Sequence, residues 1–515
     1  MTFSKILIAN RGEIAIRIMR ACRELGIKTV AVYSEADKNS LHVQFADEAV
    51  LLGAAAPKES YLNIDRIIEA AKQTHADAIH PGYGFLSENA SFAAAVDSAK
   101  LTFIGPSADS IRAMGDKAES KISMKKAGVP TVPGFEDIEW ETEAELEAEF
   151  KKAAKEIGYP VLVKAAAGGG GKGMRIVESE ADLTEAIEGS RREALNAFGD
   201  ERLLIEKYLP NAHHIEFQVF GDKRGNLVHL FERECSVQRR HQKIIEETPS
   251  PLLTNELRAQ MGEAAVKAAR AVNYFNAGTV EFIVDPDTLT LRPGSGQGFY
   301  FLEMNTRLQV EHPITELVVG LDLVQWQIRI AAGEKFPFTQ KDFSQRGHAI
   351  ECRIYAEDPA SGFLPSTGKL LQFIEPRGPG IRLDSGFASG SDVTHFYDPL
   401  LAKLIVHGEN RTVATQRMQA ALKDFVVHGV TTNIDFLQSV LSHEDFKNGK
   451  VTTRWVERNL ESNNLLFETR EQAPVLHMIA AALAEQTIPN RKTENASSSE
   501  IDPFSPWKNL SGFGN

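Results

Sequence analysis

The amino-acid sequence predicts an α/β protein of two to four domains. Three observations carry that expectation. Over the first hundred-odd residues, short β-branched runs alternate with helix-like runs, the pattern of a parallel α/β sheet. A second α/β region begins near Tyr159. From about Gly347 the pattern changes to short strands and turns around one helix, a mixed α+β layout. The 515 residues, 43% hydrophobic and 25% charged, are enough for several cores and ordinary for a globular protein.

The elements follow in order. KILIA reads as a strand and EIAIRIMRACRELG as a helix ending at Gly26. TVAVYS, AVLLG, DAIHPG and TFIGP read as further strands, with a helix at NIDRIIEAAKQT. A helical segment is expected near Asp109 to Gly128, and an acidic helix-prone stretch over Glu136 to Lys155. Next come strand YPVLVKA, a Gly-rich turn, strand MRIVES, a helix around Ala181 to Phe198 and strand LLIEKYL. HIEFQVFGD and NLVHLFERE are expected to form a hairpin, followed by a helix over Asn255 to Asn273. GTVEFIVD and FYFLEMN are strands joined through LRPGSGQG, a long hairpin tip. A helix is expected near Arg411 to Asp424, and the polar stretch from about Arg491 is expected to be disordered.

A formal charge of −13 argues against an extended nucleic-acid surface. Three widely spaced cysteines, Cys22, Cys235 and Cys352, suggest neither a disulfide framework nor a zinc site and fit a reducing compartment. No apolar run is long enough to span a bilayer, and the start of the chain lacks a signal-peptide layout. The expectation is a cytoplasmic protein without nucleic-acid or membrane partners.

Several stretches carry chemistry. In FLEMNTRLQVEHP, residues Glu303, Asn305, Arg307, Gln309 and Glu311 fall on every second position, so an extended chain would present them on one face. That face would hold two carboxylates, two amides and a guanidinium; the bland alternative is a solvated strand face. Gly168, Gly169, Gly170 and Gly171, followed by Lys172 and Gly173, form a turn whose backbone N–H groups can approach phosphate oxygens. It is not a Walker A loop, since Gly173 follows Lys172 where Ser or Thr is required. Lys164 closes the preceding strand, an awkward place for an unpaired lysine. The alternative for the loop is a plain hairpin turn. Glu281 sits within the apolar run GTVEFIV. If its strand pairs with the next, Glu281, Glu303 and Asn305 converge as hard oxygen ligands suited to Mg²⁺ or Mn²⁺. The alternative there is a salt bridge to a lysine or arginine. Arg239, Arg240, His241 and Lys243 make a cationic stretch that suits an anion.

IANRGEIAIRI, HPGYGFLSEN, MGDK, KAAAGGGGKGMR, EKYL, CSVQRRHQK, FLEMNTRLQVEHP, GHAIECRIYAEDP, YDPLLAKL and GVTTNIDFL occur in this order. Through them, over about residues 3 to 460, the chain resembles the biotin carboxylases, the ATP-grasp components of biotin-dependent carboxylases. The resemblance implies an N-terminal parallel α/β domain (1–115), an ATP-grasp domain (116–335) with a mobile lid (about 132–207), a C-terminal mixed α+β domain (336–455) and a partly disordered tail (456–515). It implies ATP- and bicarbonate-dependent carboxylation of biotin through carboxyphosphate, as the first half-reaction of an acyl-CoA carboxylase.

The resemblance also implies roles. Lys117 and Lys164 match lysines that grip ATP phosphates, and the Gly168 to Gly173 loop matches the lid loop. Glu206, Lys207 and Leu209 match the adenine hinge. His214, Gln238 and His241 match residues around ribose and phosphates. Glu281, Glu303 and Asn305 match the metal site. Lys243, Arg307, Gln309 and Val310 match the bicarbonate pocket, Glu311 the general base, and Arg353 the residue that stabilises the biotin enolate. Implied partners are a biotin carboxyl carrier protein or domain, a carboxyltransferase subunit and a second copy of the chain, met through the helix carrying Arg17, Arg20 and Glu24. LRPGSGQG departs from the family as a lengthened hairpin. No biotinylation sequence is present, so biotin is expected as a substrate on a carrier. Competing readings are another ATP-grasp ligase that forms an acyl phosphate, and a non-catalytic nucleotide-binding regulator.

Overall fold

The computed structural model describes residues 3–135, 142–166, 173–286, 298–462 and 465. Gly168 to Gly171, most of the hairpin insertion and the tail beyond 465 lie outside the described residues.

Five short strands form a parallel sheet in the order β3-β2-β1-β4-β5: β1 (Lys5–Ile8), β2 (Lys28–Ser34), β3 (Glu48–Gly53), β4 (Ala78–His80) and β5 (Thr102–Phe103). Successive residues of β1 enter different cores, Ile6 and Ile8 on one side and Leu7 on the other, so both faces are buried. This is why the run KILI is apolar without alternation.

The helical segment expected over Asp109 to Gly128 is two helices, Ala108–Gly115 and Lys117–Lys126. Asp116 separates them. Its backbone is extended, and its side chain accepts from the N–H groups of Ala118 and Glu119, which the second helix cannot satisfy internally. Lys117 therefore begins a helix. Its N–H bonds Ala166 O, which ties that helix to the next sheet.

Residues 134–207 contain their own antiparallel sheet in the order β6-β9-β7-β8: β6 (Gly134–Phe135), β7 (Val161–Ala165), β8 (Arg175–Val177) and β9 (Leu203–Lys207). The helices Glu143–Ile157 and Leu183–Phe198 pack on it through Leu146, Phe150, Ile187 and Ala194.

An eight-stranded antiparallel sheet is the centre of the molecule. Its strands are β10 (His213–Gly221), β11 (Leu227–Arg239), β12 (Gln242–Thr248), β13 (Asn276–Val284), β14 (Phe299–Asn305), β15 (His348–Tyr355), Leu400–Gly408 and Ile381–Ser385. The order runs β14-β13-β10-β11-β12-β15, then Leu400–Gly408 and Ile381–Ser385. The sheet thus continues across residue 336, and the C-terminal region adds three strands to it. Period-two alternation sorts the side chains of β10 and β13. Ile215, Phe217, Val219, Val280, Phe282 and Val284 pack with Met261, Ala265 and Ala268 of the helix Asn255–Ala271. Each large apolar side chain buried there contributes roughly 1.5–3 kcal/mol. The opposite face carries His214, Glu216 and Glu281.

One expectation is corrected here. The extended face from Glu303 to Glu311 stops at Asn305, where β14 ends. Thr306 N–H is taken by Glu88, and Pro313 lies in the first turn of a helix, His312–Val319, with Glu311 at its N-cap position. Arg307, Gln309 and Glu311 are therefore in a turn and not on a strand. The cationic residues Arg239, Arg240, His241 and Lys243 lie on a hairpin: β11 runs to Arg239 and β12 begins at Gln242. Arg240 and His241 form the hairpin tip, at φ 48° and 65°.

Candidate active site

A cavity of about 900 Å³ lies between the 134–207 region and the polar face of the central sheet. Lys117, Lys164, Glu206, Lys207, Leu209, His214, Gln238, His241, Lys243, Glu281, Glu303, Asn305, Arg307, Gln309, Val310 and Arg353 all line it. These are the sequence-predicted site residues that are described, except one. Glu311 is fully buried behind the wall and reaches the cavity through its partners.

Register explains the convergence. Glu216 pairs with Arg233 on one side and Glu281 on the other, and Glu281 pairs with Glu303. Directly opposed residues share a face, so four strands line up a row of charges. A buried polar row stands only if paired. Arg233, fully buried, donates to Glu216, Gln218, Thr279 and Thr315. Lys243 Nζ donates to Glu216, to Glu281 Oε1 at 2.8 Å and to Glu311 Oε1 at 2.8 Å. Arg353 bonds Glu311 Oε2 at 3.0 Å and Glu246 Oε1 at 2.6 Å. Arg307 donates to Glu88 Oε2, Gln309 Oε1 and Asn305 Oδ1 at 2.9, 2.8 and 3.1 Å.

These contacts set the protonation states. Burial would raise Glu311, but Lys243, Arg353 and Arg233 hold it well below the usual carboxylate range. Glu281 likewise lies well below, against burial, through Lys243 and His214. Glu216 is raised, chiefly by burial and by the neighbouring Glu311, with Arg233 opposing. Burial also pushes Glu246 up to about 7, against the opposing charge of Arg353.

The cation donor set is only partly as expected. Glu281 and Glu303 are cross-strand neighbours, yet Glu303 Oε2 lies 3.3 Å from Lys117 Nζ while Glu281 is engaged by Lys243 and by Asn305 Nδ2. Glu281 thus occupies the salt bridge weighed as its alternative, and the Asn305 oxygen faces Arg307. Among the described residues, two clusters bring ligand-type atoms within 4.8 Å of one another: His214, Glu216 and Glu281, and Glu216, Cys235 and Glu311. Hard oxygen donors beside two lysines still suit a divalent cation that arrives with a polyphosphate.

Lys164 and Glu206 are partners. Glu206 Oε1 lies 2.5 Å from Lys164 Nζ, and Oε2 lies 2.6 Å from Lys121 Nζ. Lys207 Nζ bonds the carbonyls of Gly158 and Tyr159. Arg17 is buried against Glu316 and Asp322 of its own chain, whereas Arg20 on the same helix is half exposed.

Residues 2–111 match the family described as biotin carboxylase, N-terminal domain; residues 116–339 match carbamoyl-phosphate synthase L chain, ATP binding domain; residues 351–458 match biotin carboxylase C-terminal domain. Biotin carboxylase 2 of Bacillus subtilis is 53% identical over 458 residues, 89% of this chain and all of that protein. The chain is a biotin carboxylase. Methylcrotonoyl-CoA carboxylase subunit alpha of Dictyostelium discoideum, a mitochondrial protein, is 50% identical over 515 residues, 99% of this chain and 70% of that one. The biotin carboxylase domain dimer of Hydrogenobacter thermophilus 2-oxoglutarate carboxylase, solved with MgADP, ADP and bicarbonate, superposes with a TM-score of 0.84 at 50% identity. It covers 90% of this chain and 98% of that one.

Sequence reasoning missed several charged residues of this biotin carboxylase site. Glu216, between Ile215 and Phe217, carries the same signal as Glu281, a carboxylate inside an apolar run. Glu351 in HAIECRIY and Lys403 in LLAKLIVHG carry it too; Lys403 Nζ bonds the Val310 carbonyl at 2.9 Å. Glu88 and Lys121 lie in polar stretches, where nothing local marks them.

Proposed function

We propose that this cavity carries the family reaction, the ATP-dependent carboxylation of biotin that is the first half-reaction of biotin-dependent carboxylases, with the residue roles that follow. One observation carries the assignment: a fully buried Glu311 is held ionised by Lys243 and Arg353, both of which also face the cavity.

Lys117 and Lys164 hold the ATP phosphates, with His214, Gln238 and His241 along the nucleotide and Glu206 to Leu209 beside the adenine. The Gly168 to Gly173 loop closes over the phosphates. A divalent cation, Mg²⁺ or Mn²⁺, held by Glu281 and Glu303 with Asn305 beside them, would offset phosphate charge. Bicarbonate sits among Lys243, Arg307, Gln309 and Val310. A guanidinium suits a planar oxyanion because it donates two parallel hydrogen bonds. Lys243 and Arg353 are the cations that hold Glu311 ionised. When they turn toward bicarbonate they make its proton more acidic and free Glu311 to accept it. The dianion attacks the γ-phosphate and displaces ADP, and the carboxyphosphate formed breaks down to CO₂ and phosphate. Phosphate removes the biotin proton, Arg353 stabilises the enolate, and the enolate attacks CO₂. Closure of the 134–207 region keeps water from the intermediate.

Biotin is presented by a carrier protein or domain and passed to a carboxyltransferase, and the chain pairs with a second copy. Three free, buried cysteines favour a reducing, cytoplasmic setting. No described helix is long and apolar enough to cross a membrane. An acyl-phosphate ligase of another kind would cleave ATP without biotin, and a regulator would not cleave it; ATP cleavage that needs both bicarbonate and biotin tests the reading.

Two expected results arise here. Glu303→Gln raises the Mg²⁺ requirement and depresses ATP cleavage with or without biotin; a metal titration that overlays the unaltered protein would make the carboxylate a structural partner of Lys117. A tightly bound ATP analogue slows amide exchange at Gly168 to Gly173 and in β7 and β8 more than in β1 to β5, because phosphate oxygens recruit the loop N–H groups. Equal exchange with and without the analogue would rule out closure.

A further inference from the structure

Lys121 lies four residues after Lys117 on the helix Lys117–Lys126, one turn further along the same face. Its side chain is 2% exposed, and its Nζ lies 2.6 Å from Glu206 Oε2. The other carboxylate oxygen holds Lys164 at 2.5 Å. Lys117, Lys164 and Glu206 line the cavity; Lys121 stands behind Glu206. Two buried ammonium groups thus share one buried carboxylate. A lysine is seldom buried this deeply without need. If Glu206 had Lys164 as its main counter-ion, the two would neutralise each other, and moving Lys164 to a ligand would leave an uncompensated carboxylate in the interior.

We propose that Lys121 is a positioning residue for ATP: it keeps Glu206 compensated, so that Lys164 can leave that carboxylate for a phosphate oxygen. The inference rests on the reading of the cavity as the ATP site. The framework for it is fixed. Asp116 caps the helix that carries Lys121, and the Lys117 N–H bonds Ala166 O at the end of the strand that carries Lys164.

The arrangement has a pH signature. Among the described residues, the charged groups that face Lys164 are Glu206 from β9 and Lys121 and Lys117 from the helix. Burial first, then the two lysines, bring Lys164 down to about 8 against the pull of Glu206. Phosphate is held by the ammonium form, which dominates below that value, so affinity for ATP falls as pH rises through about 8. Without Lys121, Lys164 holds its proton to higher pH. The alkaline loss then moves upward, even though affinity at neutral pH is weaker because Glu206 retains Lys164.

The test uses the full chain. Lys121→Met is expected to raise KM for ATP roughly tenfold at neutral pH, the scale of one charge-assisted hydrogen bond, with a smaller effect on kcat. It is also expected to displace the alkaline limb of kcat/KM to higher pH. Lys121→Arg, which keeps the charge, is expected to restore much of both. If Lys121→Met does not fold, Lys121→Gln gives the same two readouts, keeping a donor to Glu206 without the charge. Lys164→Met, measured in parallel, is expected to lose ATP binding; an unchanged KM there would overturn the ATP-site reading itself. With Lys164→Met impaired, a Lys121 variant whose KM and alkaline limb overlay the unaltered protein would overturn the role of Lys121. A raised KM with an unmoved limb would overturn it equally, since a merely structural lysine gives that result.

Discussion

Glu311→Gln is expected to lower biotin-dependent turnover by roughly 10²–10⁴-fold, the usual contribution of a positioned general base, with little change in ATP affinity. The substitution keeps the shape and one acceptor while removing the charge. In the unaltered protein both carboxylate oxygens are engaged, Oε1 by Lys243 and Oε2 by Arg353. These contacts hold Glu311 deprotonated in the resting state, ready to accept a proton once bicarbonate draws the two cations away. Initial-rate kinetics at saturating bicarbonate check this. Near-normal turnover would remove Glu311 from the base role and leave it as an anchor for Lys243 and Arg353.

Lys243→Met is expected to have the largest effect on stability. Its Nζ joins Glu216, Glu281 and Glu311, and all three carboxylates are buried. Removing one partner of a buried ion pair leaves uncompensated charge and costs about 3–5 kcal/mol. Here one ammonium serves three acids, so the upper part of that range is expected, together with loss of biotin carboxylation. The sign of the pH dependence follows. Lys243 helps hold Glu281 and Glu311 well below the usual carboxylate range, so its stabilising contribution is fully present above that range and is lost as pH falls and they take up protons. Denaturant unfolding should show a steady gap to the unaltered protein near neutral pH that narrows as pH falls below the usual carboxylate range. A gap that stays constant through that fall would mean that Lys243 acts through packing of its stem.

Much of this site was legible because its residues break local rules. Glu281 stands in an apolar strand and Lys164 at the end of another, where unpaired charges are costly. Strand pairing then converts separate anomalies into neighbours: Glu281 opposite Glu303, and Glu216 opposite Arg233. What the sequence hid is the partner of each charge. Glu206 was read through its place in EKYL, yet its carboxylate is held by two lysines that lie 85 and 42 residues away. Lys121 sits in KAESKISMKK, a run polar enough to look solvated, and only its packing behind Glu206 distinguishes it. The extended reading of FLEMNTRLQVEHP failed beyond Asn305 because alternation alone does not register that Pro313 begins a helix. The break at Asp116 was missed for a related reason: helix-forming residues stand on both sides, and only the capping side chain marks the boundary. The sheet that runs on past residue 336 depends on pairing between Ile245 and Cys352, more than a hundred residues apart, which no local pattern records.

The most direct test of the account is ATP cleavage by the full chain, measured with bicarbonate and biotin each present or withheld, while label from bicarbonate is followed. The account predicts that cleavage is fast only with both, and that label appears on biotin in step with the phosphate released. Cleavage at an undiminished rate without bicarbonate or without biotin, or phosphate release with no label on biotin, would contradict it.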